Sequence, residues 1–213
     1  RSRVVTACLA AGSLLAGPGP SAAATSMQFD QRYAIAATLD VATGHLDAVV
    51  DVTLTNGSAI PIDHVNLAAV PRALGYFELD GPVRVDGEPV ETEWTTSINL
   101  RVPLDGLPPR ESATIRIGFS LDVGLSPDAF TARTSRANGV LSFGQWFPIL
   151  SPEHEVYGIG DPQITRTARE ISLDLATTAA LPRDAVACPG LETAPDISGT
   201  RWTCRSERVR DFS

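Results

Sequence analysis

The sequence predicts an all-β protein, built as a β-sandwich or as one large curved antiparallel sheet. Three observations lead there. Apolar residues recur with period two, the spacing that puts one face of a strand in a core. Turn-forming residues, 17 Gly and 16 Pro among 213, punctuate these runs at short intervals. No window beyond the first 24 residues carries the three-and-four spacing of an amphipathic helix.

The strands follow in order. Tyr33, Ile35, Ala37 and Leu39 alternate with polar or small residues. The connection Ala42-Thr43-Gly44-His45 leads to a second run, Ala48, Val50, Val52 and Leu54. Asn56-Gly57, a pair that tolerates positive φ, closes it. Val65, Leu67 and Ala69 run up to Pro71. Val83 and Val85 meet Asp86-Gly87, a hairpin turn, and the chain returns through Val90 to Trp94. Ile98, Leu100, Val102 and Leu104 form one run, and Ala113 to Leu121 another, joined by Gly106 to Pro109. Ile171, Leu173 and Leu175 precede Pro182. Arg201 to Cys204 and Arg208 to Phe212 read as two short strands. Gly124 to Gly139 and Ser151 to Arg166 read as long loops, where partner contacts tend to lie in a β scaffold.

The amino terminus reads as an address. Arg1 and Arg3 precede the uncharged apolar run Val4 to Ala16, Gly17-Pro18-Gly19-Pro20 breaks it, and Ala22-Ala23-Ala24 offers a small-residue cleavage site. This is the pattern of a secretory signal peptide over 1–24, leaving one β domain over 25–213. The run is too short to span a bilayer. Val5-Thr6-Ala7-Cys8 loosely fits a lipobox, which would acylate Cys8, although the apolar run mostly follows the cysteine. Either route predicts a secreted or cell-envelope protein. In that compartment Cys188 and Cys204 are expected to pair.

Composition excludes some functions. The 17 basic and 25 acidic residues give a net charge of −8, and every basic residue is Arg. Nucleic-acid binders and polybasic membrane-surface proteins need clustered positive charge. The 43% apolar content suffices for a core.

No residue pattern selects a catalytic or metal site. His45 and His64 have no ligand partner at motif spacing and are expected to be exposed. His154-Glu155 begins like the zinc motif HExxH, but Gly158 stands where the second His belongs, and Pro152 and Gly158 disfavour the necessary helix. Gly158-Ile159-Gly160 is a turn, not a phosphate loop. Asn56-Gly57-Ser58 is formally a glycosylation sequon but reads as a β-turn. Phe143-Gly144-Gln145-Trp146-Phe147-Pro148-Ile149-Leu150 has two readings, a buried corner or an exposed aromatic platform for carbohydrate.

Taken in order, several segments resemble the amino-terminal β domain of aminopeptidase N-like zinc metallopeptidases, the gluzincins. Tyr33-Ala34-Ile35-Ala36-Ala37-Thr38-Leu39-Asp40, Gly44, and Val50 to Asn56 look like that family's first hairpin. Trp146-Phe147-Pro148-Ile149-Leu150 looks like its W-[FY]-P corner. Gly160-Asp161, Glu170 to Leu175 and Val209-Arg210-Asp211-Phe212 are similar to the segments that finish the domain. Two positions depart: Ser151-Pro152-Glu153 replaces a D-E-P-like element, and Gly144-Gln145 replaces an Arg pair. The family's amine-seating Gln has no counterpart, so that role is not carried to Gln145. The resemblance implies a non-catalytic scaffold with no cofactor of its own. It further implies that the zinc, the HExxH motif and the thermolysin-like catalytic domain lie beyond Ser213. That domain is then the expected partner, and a peptide the expected substrate of the parent protein. Two alternatives remain: a secreted binding or adhesion module, and a zinc-less scaffold relative of the peptidases.

Overall fold

The computed structural model describes residues 29–123, 134–137, 139–151, 168–188 and 194–209. Fifteen strands run through them: β1 (Phe29–Asp40), β2 (His45–Asn56), β3 (Ile62–Ala68), β4 (Phe77–Leu79), β5 (Arg84–Val85), β6 (Glu88–Pro89), β7 (Glu93–Trp94), β8 (Asn99–Leu107), β9 (Ser112–Asp122), β10 (Thr134–Ala137), β11 (Val140–Phe143), β12 (Ile149–Leu150), β13 (Ala168–Thr177), β14 (Ala194–Pro195) and β15 (Arg201–Val209). A 3-10 turn over Val70–Leu74 is the one helical element among the described residues.

Nine strands form a large sheet in the order β14-β15-β13-β1-β2-β9-β5-β6, with β4 also on β9. A second sheet runs β12-β3-β8-β7, and β10 pairs with β11. The predicted all-β architecture is observed. The pairs are antiparallel except one: β13 lies parallel to β1, Tyr33 beside Ile171 and Leu39 beside Thr177. The sheet is therefore mixed.

Alternation decides which face is buried. Tyr33, Ile35, Ala37 and Leu39 of β1 point inward, as do Leu46, Ala48, Val50, Val52 and Leu54 of β2 and Ile115, Ile117, Phe119 and Leu121 of β9. The small sheet contributes Val65, Leu67, Leu100, Val102 and Leu104, and the two sets share one core. Each buried Val, Leu, Ile or Phe side chain among them stabilises the fold by roughly 1.5–3 kcal/mol.

The turns follow their residues. Asp86 and Gly87 have φ of 51° and 91°, the doubly positive pair that matches the twist of a tight hairpin. Of the predicted connection Gly106 to Pro109, Pro108 and Pro109 do join β8 to β9, but Gly106 lies inside β8, where it and Asp105 take φ of 78° and 51°. These two residues bulge within β8, where Leu107 pairs with Ile62 and Pro103 with His64. Asn56 is fully buried and ties two connections together: Nδ2 donates to the carbonyls of Ile60 (2.9 Å) and Leu107 (3.0 Å). That amide is not available for a glycan.

Two further expectations change. The region Gly124 to Gly139 contains a strand, β10, which its polar sequence hides. The strand expected over Arg201 to Cys204 runs on as β15 to Val209, taking in the start of the one expected over Arg208 to Phe212, with Trp202, Cys204 and Ser206 alternating inward; Arg210 to Phe212 lie outside the described residues. Both terminal strands of the large sheet carry a proline, Pro195 in β14 and Pro89 in β6.

Candidate functional site

The stretch around Trp146 is a buried corner. Trp146 is 3% exposed and Phe147 1%, which excludes the aromatic-platform reading. Gln145 takes a left-handed φ of 53° and turns the chain inward. The Thr134 hydroxyl donates to the Gly144 carbonyl (2.8 Å) and ties the corner to β10. Aromatic contacts then run without a break from Trp94 through Phe77, Phe119 and Trp146 to Phe147 and Tyr33. Arg72 caps the outer end, 4.1 Å over the Trp94 ring.

Tyr33 joins the two sheets. Its phenol oxygen accepts the Leu150 N–H (3.0 Å) and its O–H donates to Gln31. Burial pushes the phenol far above its ordinary range, against the opposing pull of the Leu150 bond, so it stays protonated. Replacing Tyr33 with Phe leaves the Leu150 N–H buried without that partner. Urea unfolding is expected to show a loss of about 2 kcal/mol, and an unchanged midpoint would contradict this.

The outer face of the large sheet carries a shallow groove of about 470 Å³. Ala34 and Ala36 leave room on its floor because their side chains are small, and charged groups rim it. Arg116 grips Asp51 through both carboxylate oxygens (2.8 and 3.1 Å), and Arg205 meets Glu170 at 3.0 Å. Such exposed pairs contribute roughly 0.2–1 kcal/mol each.

The histidines differ from expectation. His45 is half-exposed, but each ring nitrogen faces a carboxylate: Nδ1 lies 2.7 Å from Asp122 and Nε2 3.2 Å from Asp47. His64 is half-buried, and its Nε2 is buried without a hydrogen-bond partner. Desolvation, aided by Arg101, lowers its pKa and favours the neutral ring. No group of three His, Cys, Asp or Glu converges to hold a metal among the described residues. The donors at His45 point at its two nitrogens separately, so they do not fit zinc.

Cys188 and Cys204 form a disulfide, as the exported reading expects. Cys204 points into the core at 2% exposure and anchors the connection that leaves β13. Cys8, His154-Glu155 and Gly158-Ile159-Gly160 lie outside the described residues.

Together these features define an all-β, disulfide-braced unit with a buried aromatic corner. Its fold is found in solved M1 zinc metallopeptidases. A variant of the enzyme from Deinococcus radiodurans superposes with a TM-score of 0.56 at 15% identity, over 84% of this chain and 39% of that one. The same enzyme bound to a Tyr-Ser-Ala substrate gives 0.55 at 18%, over 84% and 39%. Yeast LTA4 hydrolase in complex with bestatin gives 0.50 at 10%, over 95% and 31%. This chain therefore spans about two-fifths of the bacterial enzyme's length. No family model matches the sequence, and no curated protein matches it.

Proposed function

We propose that this chain is the non-catalytic amino-terminal scaffold domain of an exported zinc metallopeptidase-like protein of the aminopeptidase N type. It packs on a thermolysin-like catalytic domain and forms one wall of that domain's peptide cleft. The fold correspondence carries this reading: most of this chain matches, and it matches a minority of each peptidase. The order of the sequence segments, from the Tyr33 strand to the Trp146-Phe147-Pro148 corner, supports the same assignment. Zinc, held by the other domain, would supply the Lewis-acid chemistry. A rigid sheet beside a domain boundary is suited to holding loops against a cleft.

Export is supported by the basic start, the apolar run Val4 to Ala16 and the Cys188–Cys204 disulfide. Mass spectrometry of the mature amino terminus distinguishes cleavage after Ala24 from acylation at Cys8.

The reading frame beyond Ser213 tests the assignment: it is expected to encode HExxH and, on a later helix, a Glu. An immediate stop codon there would favour a self-contained binding module. The 213-residue chain itself is expected to take up no stoichiometric zinc in equilibrium dialysis. One tightly held ion per chain would overturn the scaffold role.

A further inference from the structure

His45 opens β2 and is the ladder partner of Asp40 on β1 and of Asp122 on β9. A neutral imidazole carries one N–H and one lone pair. With Asp122 on Nδ1 and Asp47 on Nε2, the neutral ring must turn its lone pair toward an anion. The imidazolium instead donates to both. The geometry selects the charged form.

The same turn gathers three elements. Gly44 donates to the Asp40 carbonyl (2.8 Å) and accepts the Val123 N–H (3.2 Å). The Arg136 guanidinium of β10 donates to the Thr43 carbonyl (3.1 Å). Gly44 sits so close that an added Cβ would meet the Val123 carbonyl at 3.4 Å and the Leu141 side chain of β11 at 3.5 Å. The other charged groups at this turn are already engaged. Asp40 accepts the Ala42 and Thr43 amides, and Arg136 is on the Thr43 carbonyl.

We propose that His45, Asp122 and Asp47 form a proton-controlled clasp, closed when the imidazole is charged, that fastens the end of β9 to the β1–β2 turn. The hydrogen bond to Asp122 raises the His45 pKa most; desolvation, the next largest effect, lowers it, and the bond to Asp47 and the charges of both carboxylates add to the rise, so the net shift is upward. A raised histidine pKa gives stability that is present below the unfolded value and lost as pH rises through the folded one. The clasp therefore opens toward alkaline pH, and salt weakens it because the groups are exposed.

Hydrogen–deuterium exchange of the 213-residue chain, corrected for intrinsic rates, tests this. As pH rises through the His45 titration followed by NMR, the Gly44 and Val123 amides are expected to lose roughly two- to five-fold in protection, the size typical of an exposed ion pair. His45→Gln is expected to abolish that pH dependence, and Asp122→Asn to move the His45 titration to lower pH. Protection that is independent of pH in the parent chain, or an unchanged pH dependence in His45→Gln, would overturn the clasp.

Discussion

Replacing Gly118 with alanine is expected to cost about 3 kcal/mol of folding stability. Gly118 lies in β9 opposite Val49 of β2, between the buried Ile117 and Phe119. On its other side the chain leaves β4 and passes close by. The Asp80 N–H donates to the Gly118 carbonyl at 2.8 Å. A Cβ on Gly118 would stand 2.7 Å from the Asp80 carbonyl oxygen. Backbone cannot swing aside like the tip of a side chain. The strand connection must move, and its hydrogen bond moves with it. Phe77 of β4 stacks on Phe119 at 5.1 Å, so the displacement also loosens the aromatic run. Thermal unfolding should fall by about 6–12 °C for a chain of this size. A variant within about 1 °C of the parent would sink this account.

Reduction of the Cys188–Cys204 disulfide is expected to cost about 3 kcal/mol. The two cysteines are 16 residues apart, a loop whose closure entropy the cross-link removes from the unfolded chain. Cys204 is in the core, so reduction also frees the segment packed over that part of β15. The paired substitution Cys188→Ala with Cys204→Ala should reproduce the loss without a reductant. Two measurements check it: melting with and without dithiothreitol, and thiol titration of the unfolded, unreduced chain. Equal melting temperatures, or reactive thiols from both Cys188 and Cys204 in the titration, would rule the prediction out.

Much of the fold was legible in the sequence because one face of each long strand is apolar. β1, β2, β8 and β9 lie where alternation places them, and the Asp86-Gly87 turn follows from its residues. The buried corner at Trp146 is one of the two readings the aromatic run permits. What stayed hidden depends on pairing. Period two is the same for parallel and antiparallel neighbours, so nothing in Tyr33 to Leu39 or Ile171 to Leu175 announces that β1 and β13 run together. β10 has almost no apolar alternation; Thr134 is buried through a hydrogen bond instead. Ser206 hides the continuity of β15 in the same way.

The site residues follow the same division. The cysteine pair could be read from compartment and count. The His45 cluster could not, because the β2–β9 register alone brings Asp122 beside it. Gly118 is invisible for a related reason: its role is set by a segment crossing from β4, not by its own strand.

The prolines that end the large sheet bear on how this protein can meet others. Pro195 and Pro89 each remove a backbone donor from an outermost strand. Where β15 continues past β14, Arg205 and Glu207 carry charge and Arg208 takes a φ of 54°, which interrupts a flat template. Among the described residues, the sheet's outer strands are thus poor templates for a further strand. Recognition of a neighbouring polypeptide at these edges then falls more to side chains than to backbone pairing, and strand-by-strand association there is disfavoured.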